Sequence, residues 1–157
     1  MPKLTLRRKA TVAGRTATNI ARSRPITVSF EVTYNCNADC LHCDLGAYVK
    51  EPRLGPEVFA HWISELRPAV AQISGGEPLL RKDILDIIAA MRKRDPAAVF
   101  VLTTNVQLLT EEKYLQLRQA GIDQFSLSLD YPDERQNTFR KLKNNSLCSN
   151  SLLCSNY

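Results

Sequence analysis

Hydrophobic and polar positions alternate from Ile26 onward. Ile26, Val28, Phe30 and Val32 are interleaved with Thr27, Ser29, Glu31 and Thr33, which predicts a strand. Gly55-Pro56-Glu57 then opens a helix carrying Phe59, Trp62, Ile63 and Leu66 on one side, and Pro68 stops it. Val70 to Ser74 reads as a short apolar strand ending at Gly75-Gly76. A second helix, from about Lys82 to Arg94, buries Ile84, Leu85, Ile87, Ile88 and Met91. Ala97 to Thr104 is a nearly continuous apolar strand, the pattern expected when both faces are covered. Thr110 caps a third helix whose first turn holds Glu111 and Glu112, matched to the helix dipole, and Gly121 ends it. Phe125, Leu127 and Leu129 alternate with Gln124, Ser126, Ser128 and Asp130 in a fourth strand.

The order is β-α-β-α-β-α-β, an α/β chain. Helices of about a dozen residues between short strands imply parallel pairing and right-handed crossovers. In (β/α) barrels the chemistry sits at the carboxyl ends of the strands. Four unusual polar groups fall at such ends: a cysteine loop after the first strand, Gly75-Gly76-Glu77 after the second, Thr103-Thr104-Asn105 at the third, and Ser128 with Asp130 at the fourth.

Length and composition change this picture little. The 157 residues suit one domain with a sizeable core, and 44% hydrophobic with 24% charged residues is ordinary for a soluble globular protein. Charge is more informative. The net +5 comes from residues 1–25, where Lys3, Arg7, Arg8, Lys9, Arg15, Arg22 and Arg24 stand without an acid. Residues 1–24 therefore read as a basic helical leader. Val12, Ala13, Ala17, Ile20, Ala21 and Arg24 fit one helical face, as in an amphipathic helix packing on the domain. That reading is preferred over a nucleic-acid or membrane contact or an organelle transit peptide. No apolar run approaches the roughly 18 residues a membrane span needs. Arg15 interrupts the candidate apolar region of a secretory signal. Cysteines clustered in one place suit a reducing, cytoplasmic compartment.

The candidate chemistry lies in Cys36-Asn37-Ala38-Asp39-Cys40-Leu41-His42-Cys43, which spaces three of the chain's five cysteines C-x3-C-x2-C. Thiolates this close can converge on a soft metal centre: zinc, copper(I) or iron–sulfur. A closed zinc site wants four ligands, usually as two separated knuckles, and no matching second knuckle is present. A [4Fe–4S] cluster takes one cysteine per iron. Three cysteines leave one iron open to a substrate or cofactor.

This spacing, followed by Gly75-Gly76-Glu77-Pro78, resembles the radical S-adenosylmethionine (SAM) superfamily. The resemblance covers about Pro25 to Arg140. Asn105 and Asp130 fall where related sequences have similar residues, and His42 occupies a position that is usually aromatic. The resemblance implies a partial (β/α) barrel of the radical SAM type, a [4Fe–4S] cluster on Cys36, Cys40 and Cys43, and SAM chelated to the open iron. It further implies that Gly75 and Gly76 let backbone approach the ligand. The Glu77 stretch would meet the SAM amino group, and His42 would lie near the adenine. Asn105, Ser128 and Asp130 would bond ribose hydroxyls or the methionine end. The implied reaction is reductive cleavage of SAM to a 5′-deoxyadenosyl radical, which takes hydrogen from a small-molecule or peptide substrate that the residues do not name. An electron donor such as flavodoxin or ferredoxin is the implied partner. The alternative is a non-catalytic zinc or iron–sulfur interaction module, or an inactive gene fragment.

Other residues carry blander expectations. Asn105 can cap a turn and Asp130 the helix after it. His61 reads as a surface or packing residue, and Trp62 as core rather than ligand-binding. After Arg140 the fifth strand that the resemblance calls for does not follow. Residues 141–157 read as a low-complexity tail, in which Ser146-Leu147-Cys148-Ser149-Asn150 nearly repeats in the next block. A frame shift, a misread gene end or a fragment would explain it, and a metal pair from Cys148 and Cys154 is disfavoured.

Overall fold

A computed structural model describes residues 5–45 and 48–141, so the tail beyond Lys141, with Cys148 and Cys154, lies outside the described residues. The elements are α1 (Leu6–Ala21), β1 (Thr27–Thr33), α2 (Pro56–Leu66), β2 (Val70–Gly75), α3 (Ile84–Arg94), β3 (Val99–Thr104), α4 (Glu111–Ala120), β4 (Gln124–Leu127) and α5 (Arg135–Arg140), with one turn of 3₁₀ helix at Pro78–Leu80. The four strands are all parallel and lie in sequence order, β1-β2-β3-β4. The sheet is not closed, as in a partial barrel.

Local chemistry places the helices where their sequences ask. Pro56 opens α2 behind Gly55, and Thr110 Oγ1 accepts from Lys113 N at 3.1 Å to cap α4. Sequential strand order with crossovers of one hand puts α2, α3 and α4 on a single face. There Ile63, Ile73, Ile87, Ile88, Met91, Phe100 and Leu102 are fully buried in one cluster. Removing each such side chain from water is worth about 1.5–3 kcal/mol.

Four expectations are corrected by this packing. Among the described residues the sheet is covered by helices on one face only: its other face carries Ser29, Gln72, Ser74 and Thr103, with Ser29 Oγ 2.6 Å from Ser74 Oγ and Gln72 Nε2 donating to Thr103 Oγ1 at 3.0 Å. The apolar run of β3 resolves into alternation, with Phe100 and Leu102 buried and Val101 and Thr103 half-buried. Trp62 is not core. The sheet takes up Phe59, Ala60 and Ile63, and Trp62, on the flank of that stripe, is 51% exposed.

The fourth correction concerns α1, which packs by a different face from the apolar one expected. Arg8, Arg15 and Asn19 face the domain, while Ala13, Ala17, Ile20 and Ala21 are exposed. Arg8 Nη2 reaches Asp123 Oδ2 at 2.6 Å, and Arg15 Nη1 reaches Asp95 Oδ2 at 2.5 Å. Asn19 Nδ2 donates to Pro25 O at 2.8 Å and Arg67 O at 3.0 Å. These acceptors just precede β1, β2, β3 and β4, so α1 runs beneath the amino ends of all the strands. What it meets there is carboxylates and carbonyls without ladder partners, and those call for donors rather than methyl groups.

Candidate functional site

The opposite, carboxyl ends of the strands surround a cavity of about 190 Å³. Cys36, Cys40, His42 and Cys43 line it from the loop after β1, Ser74, Gly75 and Gly76 from β2, Thr103, Thr104 and Asn105 from β3, Ser128 from beyond β4, and Arg140 from α5.

The cysteine loop is held at both of its ends. At its start Glu51 accepts from the Thr33 hydroxyl, from Tyr34 N at 2.6 Å and from Asn35 Nδ2 at 2.8 Å. Burial pushes the Glu51 carboxyl up, but these donors outweigh it and hold it below its ordinary value. Arg81, itself buried, donates to Val32 O at 2.7 Å and to Leu54 O at 2.9 Å. At the far side Asp39 N and Leu41 N donate to the carbonyls of Arg140 and Phe139, at 3.2 and 3.0 Å.

Within the loop all three thiols are free. Each sulfur has a separate nitrogen beside it: Ala38 N lies 3.4 Å from Cys36 Sγ, Leu45 N 3.5 Å from Cys43 Sγ, and Arg140 Nη1 4.0 Å from Cys40 Sγ. Asn105 Nδ2 adds a second neighbour to Cys36 at 4.0 Å while donating to Asn37 Oδ1 at 2.8 Å. Such donors stabilise thiolate ligands. Burial pushes the Cys36 and Cys40 thiols up, and for Cys40 the Arg140 guanidinium pulls the other way. Among the described residues, no three His, Cys, Asp or Glu side chains close on one point as a single ion would require. Three thiolates spread round a cavity, one for each of three irons, need no such convergence.

Gly75 and Gly76 line the cavity, but another contact explains why they are glycines. Gly75 has φ 128°, and a Cβ there would collide with Thr33 O; a Cβ on Gly76 would collide with Asn35 O. Gly76 N donates to Thr33 O at 2.7 Å and Glu77 N to Asn35 O at 2.8 Å. The glycines thus let β2 lie against the stretch that leads into Cys36.

Of the other expected residues, His42 reaches the cavity and stacks on Phe139 with ring centres 5.0 Å apart. Asn105 and Ser128 also reach it, and Asn105 Oδ1 caps a local turn by accepting from Gln107 N at 3.1 Å. Glu77 does not line the cavity. It is fully buried behind it, accepting from Leu79 N at 3.1 Å, Thr104 Oγ1 at 2.8 Å and Asn105 N at 2.8 Å. Asp130 neither lines the cavity nor caps α5; its Oδ2 is 2.6 Å from Arg140 Nε. The fourth strand stops at Leu127, short of the expected Asp130, because buried Gln136 takes the backbone donors of Asp130 and Tyr131 at 2.9 and 3.0 Å. Sequence reasoning missed Glu51, Gln136 and Arg140, each a lone polar residue whose partners, from 5 to 100 residues away, follow no helix or strand period.

The family model of the radical SAM superfamily matches residues 30–147. The chain belongs to the radical SAM superfamily. It is 35% identical over 111 residues to an AdoMet-dependent heme synthase of Methanosarcina barkeri, covering 68% of this chain and 31% of that protein. It is 37% identical over 110 residues to a probable GTP 3′,8-cyclase of Archaeoglobus fulgidus, covering 65% and 34%. The chain thus spans about a third of the length of these curated relatives, which are enzymes. Among solved structures, SuiB of Streptococcus suis bound to the precursor peptide SuiA aligns with a TM-score of 0.66 at 17% identity, over 83% of this chain and 31% of that one. BtrN in complex with AdoMet and 2-DOIA aligns at 0.59 with 24% identity, over 66% and 45%. Both likenesses are of fold. Among the described residues no helix is long and apolar enough to cross a membrane.

Proposed function

We propose that this chain is the amino-terminal part of a radical SAM core that holds a [4Fe–4S] cluster through Cys36, Cys40 and Cys43 and SAM at the fourth iron. One observation carries the reading: three free thiols, each beside its own nitrogen, line one cavity with Gly75, Gly76, Asn105 and Ser128 at the carboxyl ends of the strands. The donor set fits the group, since thiolate ligation wants N–H groups aimed at sulfur. Bound there and reduced, the cluster supplies the electron that cleaves SAM to a 5′-deoxyadenosyl radical for hydrogen abstraction.

The protein's part is placement. The backbone of Gly75 to Glu77 and the Asn105 and Ser128 side chains offer polar partners to the methionine and ribose of SAM. His42 offers a ring face near the adenine. Glu77 acts from behind, fixing Thr104 and Asn105, and Asp130 acts through Arg140. The free thiols suit a reducing, cytoplasmic setting with an electron donor such as ferredoxin or flavodoxin. The relatives differ in what they act on, so the substrate stays at the level of a small molecule or peptide.

The test is anaerobic reconstitution followed by iron, sulfide and zinc analysis, then SAM titration read by electron paramagnetic resonance. About four irons with matching sulfide, and a signal that shifts with SAM, are expected. One zinc without sulfide would support the alternative metal-binding module.

A further inference from the structure

We infer that Arg140, steered by Asp130, is the positioning residue for Cys40 and supplies the positive charge at that corner of the site. The inference rests on the cluster reading for its charge component and on geometry alone for its positioning component.

The three cysteines are not held alike. Cys36 and Cys43 receive backbone N–H groups from two residues further along their own loop, with Asn105 Nδ2 a second neighbour 4.0 Å from Cys36. For Cys40 the neighbouring donor is Arg140 Nη1, 100 residues away in sequence. The backbone on both sides of Cys40 is also gripped from that distance, since Asp39 N and Leu41 N bond the last carbonyls of α5. His42 stacks on Phe139, and Lys141 Nζ lies 2.7 Å from Asp39 Oδ2.

The other end of α5 is fixed to the sheet. Gln136 is 1% exposed and donates to Ser128 O at 3.0 Å while accepting from Asp130 N and Tyr131 N. A continuous chain of contacts therefore runs from the end of β4, through Gln136 and Asp130, to Arg140 and Cys40. The Arg140 side chain is 11% exposed and that of Asp130 31%, so their pairing is screened from the Asp130 side while the guanidinium itself is held against the loop. Arginine suits the place because its rigid fork can meet a carboxylate through Nε while another nitrogen faces the sulfur. Charge and hydrogen bonds at the sulfurs set the potential of an iron–sulfur centre. A fixed cation at Cys40 favours the reduced state.

The experiment uses the whole chain with Arg140→Gln, Arg140→Lys and Asp130→Asn. In the metal-free protein, amide hydrogen exchange across residues 36–45 should be several-fold faster in all three variants, with β2 and β3 unchanged as the folding control. In the protein reconstituted with iron and sulfide, Arg140→Gln should move the cluster's midpoint potential to a more negative value. Arg140→Lys should return it toward the parent, because charge is restored without the fork. Parental exchange across 36–45 in Arg140→Gln overturns the positioning role. An unchanged midpoint in Arg140→Gln overturns the charge role. A parent chain that takes up no iron and sulfide overturns the charge role together with the cluster reading, while the exchange result still decides the positioning.

Discussion

Glu77 offers the sharpest test of the packing behind the site. Its carboxylate is fully buried and accepts three bonds: Leu79 N and Thr104 Oγ1 on Oε1, and Asn105 N on Oε2. Glu77→Ala strands all three donors. A buried donor without a partner costs about 1–3 kcal/mol. Relief of the buried charge offsets part of that sum, leaving a net loss of about 3–5 kcal/mol. Glu77→Gln keeps one oxygen for Leu79 and Thr104 but turns an NH2 toward Asn105 N, so its loss should be about 1–3 kcal/mol. Burial raises the Glu77 pKa above its ordinary value, against the pull of the bonds from Asn105, Leu79 and Thr104. The folded state then keeps a proton that the unfolded chain has already released. Stability from this group is complete below the ordinary value of 4.5 and is lost as pH rises through the raised folded value. Glutamine has no such slope. The advantage of the parent over Glu77→Gln should therefore be largest at low pH and narrow as pH rises. Urea unfolding of parent, Gln and Ala variants at several pH values reads this directly. A gap that widens with pH, or an Ala variant no less stable than the Gln variant, would refute the reasoning.

Three further outcomes follow from named contacts. Alanine at Cys36, Cys40 or Cys43 should remove most of the visible iron–sulfur absorbance, whereas replacing Cys148 and Cys154 together should not; full retention in Cys40→Ala would sink the ligand assignment. Gly76→Val should lower iron uptake as well as SAM response, because its Cβ meets Asn35 O beside the cysteine loop; loss of the SAM response with full iron content would show that the loop yields. Asp123 Oδ2 receives Arg8 Nη2 at 2.6 Å, Arg92 Nη2 at 2.6 Å and Phe100 N at 2.9 Å. Asp123→Ala should cost about 2–4 kcal/mol and the partly exposed Arg8→Ala about 1 kcal/mol or less, in denaturant unfolding, and equal losses would contradict the network.

Periodicity and punctuation in the sequence determined the number, type and order of the elements from β1 to α4, since strand alternation, helix caps and Pro or Gly stops act within a few residues. The cysteine spacing and Gly75-Gly76 marked the rim for the same reason. Only the tertiary structure decided which polar side chains face the cavity. Glu77 and Asp130 look alike in sequence as candidate ligand contacts, yet each is taken by a partner: Asn105 is 28 residues from Glu77, and Arg140 is 10 from Asp130 and 100 from Cys40. The packing face of α1 was decided in the same way. Its apolar stripe is the stronger local signal, but strand ends offering carbonyls and carboxylates drew Arg8, Arg15 and Asn19 inward instead. Hydrophobic burial is written in the local period of a chain, whereas a hydrogen-bond partner is fixed only when distant segments meet.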